Sequence, residues 1–164
     1  MPSFSVVAHV ALIGIGATAL MDLWLWLLGR LGVPTTGFGM VGRWVGHFAH
    51  GEFAHAAIAK AAPIPFEAGL GWLTHYLIGV AYAVVLVAVQ GPAWLEQPTM
   101  LPAVLFGVLT VAAPWFVMQP AMGAGVLALK TPTPLKNGLR NLANHTVFGV
   151  GLYVAAAVLA TLAA

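Results

Sequence analysis

Residues 68–89 read AGLGWLTHYLIGVAYAVVLVAV, a run without a single Asp, Glu, Lys or Arg. Crossing the hydrocarbon core of a bilayer takes about 20 predominantly apolar residues at a helical rise of ~1.5 Å each. The run is therefore predicted to be a transmembrane helix. Working outward, three more runs of this kind appear, at about 4–28, 100–129 and 141–163. The third contains Pro114 and Pro120, which predicts a kinked or locally unwound helix. The first has no basic start and the chain stays hydrophobic after it, so it reads as a span rather than a cleaved leader.

Composition agrees with four spans. Of 164 residues, 61% are hydrophobic and only 6% charged, and the mean hydropathy is +0.96. So few charges cannot cover a water-exposed surface, and the main solvent is lipid. The fold class that follows is all-α: an integral membrane four-helix bundle occupying residues 1–164 as one domain. Cysteine is absent, which excludes disulfides, thiolate chemistry and iron–sulfur ligation. A net charge of +2 is too small to suggest a nucleic-acid partner.

The cations set the expected orientation. Arg30, Arg43 and Lys60 follow the first run, and Lys130, Lys136 and Arg140 lie between the third and fourth. The intervening loop near 90–99 has Glu96 and no Lys or Arg. The positive-inside rule makes both basic segments cytoplasmic, with both termini periplasmic. Trp24, Trp26 and Trp72 near the inner boundary and Trp94 near the outer suit interfacial belts, whereas Trp115 is expected deep. The first cytoplasmic loop, 29–67, is long for a bundle connection. Its glycines and prolines predict turns with one short interfacial helix at about 53–62. It is apolar enough to pack on the membrane face.

The runs also echo one another. His75, Gly79 and Tyr82 in the second correspond to His145, Gly149 and Tyr153 in the fourth. Thr-rich segments with proline, at 33–36 and 131–134, precede them in turn. This spacing predicts two pseudo-repeated helical hairpins related by an axis along the membrane normal.

Ionisable groups inside a span cost about 2.5–3.5 kcal/mol on insertion scales and usually face the bundle interior. Asp22 lies roughly 12 Å inward of Arg30, His75 roughly 12 Å from Glu67, and His145 roughly 8 Å from Arg140. Gln119 and Asn144 belong to the same cytoplasmic half. Asp22, His75, Gln119, Asn144 and His145 are thus the candidate lining of a polar inner-half pocket. Small residues at helical spacing flank them: Gly14 and Thr18 before Asp22, Gly71 and Gly79 around His75, Gly149 after His145. Two readings compete. One has these groups as packing seams joined by interhelical hydrogen bonds. The other makes His75 and His145 opposed ligands of haem b or a metal, with Gly79 and Gly149 leaving room for a macrocycle and Arg43, Arg140 or Lys136 meeting its propionates. A proton relay through Asp22, His75 and His145 is a further use, suited to a proton-coupled carrier or channel subunit.

A second constellation sits in the first loop: His47, His50, Glu52 and His55. Two imidazoles three apart followed by Glu-x-x-His form a nitrogen and oxygen donor set for a divalent metal. Gly51 prevents a single continuous helix through it. No nucleophile elbow, P-loop, dinucleotide fingerprint or HExxH motif occurs, so the sequence names no reaction.

Several blocks together carry a resemblance: Met21-Asp22-Leu-Trp24, Gly42-Arg43-Trp44-Val-Gly-His47, Leu70-Gly-Trp72-Leu-Thr-His75-Tyr76, Pro114-Trp-Phe-Val-Met118-Gln119-Pro120 and His145-Thr-Val-Phe148-Gly149. The chain resembles, over nearly its whole length, a bacterial family of small four-span inner-membrane proteins known only as a domain of unknown function. The resemblance implies a bacterial inner-membrane location and no assigned activity. The partners that follow are the lipid bilayer and either a second copy of the chain or a larger membrane complex, which the chain would serve as a structural or assembly partner.

Overall fold

The computed structural model describes residues 4–35 and 37–163. Its elements are α1 (Phe4–Arg30), α2 (Phe38–His47), α3 (Glu67–Gln90), α4 (Met100–Thr110), a π-helical turn (Pro114–Met118), α5 (Gln119–Ala121) and α6 (Pro134–Ala163), with short 3₁₀ turns between them. No strand occurs among the described residues. Four helices are long and apolar enough to cross a membrane: Val6–Arg30, Glu67–Gln90, Met100–Ala121 and Pro134–Leu162. Their outward faces carry exposed large apolar side chains such as Leu12, Leu77, Leu105 and Val158. That distribution is what a lipid solvent allows and water does not.

The chain divides into two compact units. The first comprises residues 1–33, 76–110 and 143–164, and is itself a four-helix bundle. Its buried core includes Val10, Ile13, Ala17, Leu86, Phe148 and Leu152. Small residues set how closely its helices approach, because apolar side chains gain little by leaving lipid for one another. A Cβ on Gly14 would stand 2.5 Å from the Val80 Cα, and one on Gly151 2.9 Å from the Ala17 Cα. A Cβ on Gly107 would run into the Gly149 backbone. Edge-to-face contacts of Tyr82 with Phe106 (6.2 Å) and Phe148 (6.0 Å) join α3 to α4 and α6. Trp94, expected at an interface, is buried in this core, its indole N–H donating to Thr99 at 3.3 Å.

The second unit comprises residues 34–75 and 111–142. Here α2 packs on the start of α3 through two glycines. A Cβ on Gly42 would meet the Glu67 carbonyl, and one on Gly71 the Phe38 carbonyl. The Arg43 guanidinium donates two bonds to the Glu67 carboxylate, at 2.8 and 2.9 Å, and a third to the Ala61 carbonyl at 3.2 Å. Such a forked pair fixes direction as well as distance.

Two expectations are corrected in this unit. The helix in the first loop lies at Phe38–His47, not at 53–62. The 53–62 stretch forms only a 3₁₀ turn, Ile58–Lys60, because its amide hydrogens are used elsewhere. His55 N–H donates to the Ala121 carbonyl at 2.7 Å and Ile58 N–H to the Met122 carbonyl at 3.1 Å. Helical structure in the third span stops at Ala121, short of the apolar run's end at 129. Gly123 and Gly125, at φ 92° and 77°, turn the chain there. The local unwinding expected from the prolines is real, and it takes the form of the π-helical turn Pro114–Met118. Pro114 and Pro120 have no N–H to give to the preceding turn, and Gln119 N–H bonds the Pro114 carbonyl instead.

Candidate metal centre

Helix α2 ends at His47, whose side chain is buried, and the chain then turns through a left-handed Gly51 at φ 75°. That reversal brings Glu52 and His55 back to His47. One ligand atom from each of His47, Glu52 and His55 lies within 4.8 Å of the other two. His50, part of the sequence-level set, stays outside this group, its ring centroid 6.5 Å from that of His47.

The protons can be placed from the bonds. His47 Nδ1 is 2.7 Å from Glu52 Oε2, and Nε2 is 2.9 Å from the Ala62 carbonyl. Both partners are acceptors, so a ring that makes both bonds donates from both nitrogens and is an imidazolium. The Ala62 carbonyl, and after it the Glu52 carboxylate, push His47 above its ordinary value of 6.5 despite burial. Glu52 is held below its ordinary value of 4.5, mainly by the bond from His47. A divalent cation can take the place of the Nδ1 proton while Nε2–H stays on Ala62. A backbone carbonyl orienting a ligating imidazole in this way is the usual outer support of a metal site. Tetrahedral zinc holds ligands at about 2.0–2.1 Å, hence roughly 3.3 Å from one another. Glu52, whose side chain is 58% exposed, has room to turn toward a cation.

Four buried side-chain atoms of the described residues make no hydrogen bond: His9 Nε2, His55 Nε2, Trp115 Nε1 and Gln119 Oε1. A buried polar atom left so costs about 1–3 kcal/mol. Of the four, only His55 belongs to the candidate metal group.

The remaining candidates from the sequence are distributed as follows. In the first unit, the Asp22 carboxylate accepts from the Tyr76 hydroxyl at 2.8 Å, and Asn144 accepts from the Trp24 indole at 3.0 Å. His145 Nδ1 lies 2.7 Å from the Thr110 hydroxyl, which gives its own hydrogen to the Gly107 carbonyl at 2.6 Å. With one hydrogen already committed, Thr110 accepts, so the His145 proton is on Nδ1. All three contacts are bonds between helices. The room expected beside Gly79 and Gly149 for a macrocycle is taken up. A Cβ on Gly79 would meet the Thr18 hydroxyl, and one on Gly149 the Ala103 carbonyl at 2.8 Å.

In the second unit, His75 packs against the Phe38 and Trp72 rings at centroid distances of 4.3 and 6.0 Å. Arg43, a candidate for a cofactor's acidic group, is committed to Glu67. Arg140 is half-buried on the early turns of α6, and Gln119 belongs to α5. Sequence reasoning missed Tyr76, Thr110 and Trp24 as partners. Their i and i+4 registers relative to neighbouring helices were unknown until the helices were docked.

No curated protein and no solved structure matches the chain. A family model does, over residues 11–159, and those residues include every element of both units except the outermost turns of α1 and α6. The chain belongs to the DUF2938 family, proteins of unknown function.

Proposed function

We propose that this is a bacterial inner-membrane protein, with its basic loops cytoplasmic, that binds a divalent transition metal through His47, Glu52 and His55. One observation carries the reading: His47, Glu52 and His55 each bring one ligand atom within 4.8 Å of the other two, and the same His55 keeps a buried Nε2 without a hydrogen bond. Two imidazoles and a carboxylate suit zinc and its neighbours among the divalent ions better than magnesium or calcium. Three protein ligands also leave a coordination position for water or a solute.

The test is calorimetric titration of zinc into chelator-treated protein in mild detergent. One equivalent is expected, with affinity falling about tenfold or more in His55→Ala, as for loss of a ligand or its support. His50→Ala should bind as the wild type does. Equal affinity in His47→Ala, His55→Ala and wild type would defeat the proposal.

A second reading concerns haem b at His145, favoured by the placement of that ring's proton on Nδ1. Protonation on Nδ1 is the tautomer in which an imidazole binds haem iron. The closely packed glycines weigh against it. A Soret band in the purified protein, lost in His145→Ala, is the outcome it requires.

A further inference from the structure

The π-helical turn and the first residue of α5 hold a donor and an acceptor that the candidate metal group does not use. Trp115 Nε1 and Gln119 Oε1 are both buried and both without a hydrogen bond in the protein. They stand four residues apart along one helical run, which puts them on one face. Single π-helical turns inside α-helices recur at functional sites, because the extra residue re-aims side chains at the cost of regular packing. The neighbouring Phe116 and Val117 are exposed, at 56% and 59%, on a span whose outer surface suits lipid.

The chemistry of the pair restricts what it can take. An indole N–H only donates, and an amide oxygen only accepts. A hydroxyl offers both complements, since its oxygen accepts and its hydrogen donates. Neither group is charged, so an ion would lose its hydration without gaining a counter-charge from the pair. We infer that Trp115 and Gln119 form a binding site for the hydroxyl group of a neutral amphiphile entering from the bilayer. The site stands independently of the metal reading, since neither residue belongs to the His47, Glu52 and His55 group.

The full-length protein in mild detergent tests this by native mass spectrometry with 1-monooleoylglycerol, and with glycerol in a parallel arm. One retained monooleoylglycerol per chain is expected. Trp115→Phe and Gln119→Leu, which each remove one polar atom, should weaken retention about tenfold. Competition by glycerol at equal concentration would support the same hydroxyl recognition and assign its source to a soluble polyol. Equal retention by the wild type and both variants would overturn the inference. Should the variants lose helical circular dichroism, hydrogen exchange of residues 114–122 in the wild type decides: slowing by monooleoylglycerol or glycerol supports the site, and no slowing by either overturns it.

Discussion

His47 shows how one side chain can be held by acceptors on both sides. Its two ring nitrogens face the Glu52 carboxylate and the Ala62 carbonyl, and its value is raised as a result. The sign of the pH effect follows. A raised imidazole contributes stability that is complete below its ordinary 6.5 and lost as pH climbs through the raised value. Glu52, lowered, contributes stability that is complete above its ordinary 4.5 and lost as pH falls through its depressed value. The pair is therefore fully engaged between about 4.5 and 6.5. In chelator-treated protein, the nuclear magnetic resonance titration of His47 should have its midpoint above 6.5, and Glu52→Gln should bring that midpoint down. A midpoint unmoved by Glu52→Gln would show that the contact does not hold in solution. The types of these residues were visible in the sequence, and so was their candidacy for a metal. The exclusion of His50 was not, because it depends on the left-handed turn at Gly51.

At the scale of elements, glycine divides into positions that touch a neighbouring backbone and positions that touch nothing. Gly149 is of the first kind, its missing Cβ 2.8 Å from the Ala103 carbonyl, where no flexible side chain can yield. Gly149→Val should lower stability in detergent by about 1–3 kcal/mol through overpacking. Gly138, inside α6 with nothing within 4 Å, is of the second kind. Gly138→Ala should raise stability by about 0.5–1 kcal/mol through helix propensity alone. Thermal unfolding of the two variants, followed by circular dichroism, gives both signs in one experiment. The same distinction explains why α2 was hidden. Gly39, Gly42 and Gly46 make residues 38–47 look like a loop, yet Gly42 is the surface on which the α3 backbone rests. The spacing of three and four was the available signal. What it lacked was a partner, since the chain alone does not say which helix the small face meets. The long spans were legible for the opposite reason: their apolar character needs no knowledge of any neighbour.

For the whole molecule, length and hydropathy decide the architecture, and the placement of cations decides the proposed orientation. The absence of cysteine makes the latter simple to check. In the proposed orientation, a single cysteine at Lys136 should react with a membrane-impermeant maleimide only after the membrane is opened. One at Gln97 should react in intact spheroplasts. The reverse pattern would invert the orientation and move the proposed metal site to the outer face. Neither the π-helical turn nor the close of the third helix at Ala121 could be dated to a residue from sequence, since the apolar run continues past both.

The bonds from His55 and Ile58 to the carbonyls of Ala121 and Met122 have one more consequence. A long connection between spans is ordinarily the place where a protease nicks a membrane protein and where an epitope tag can be spliced in. Here that connection is stitched to a helix end, with the Ala56 backbone lying directly against Gly123. It therefore behaves as part of the framework, and anything inserted at that point breaks its bonds to the helix end.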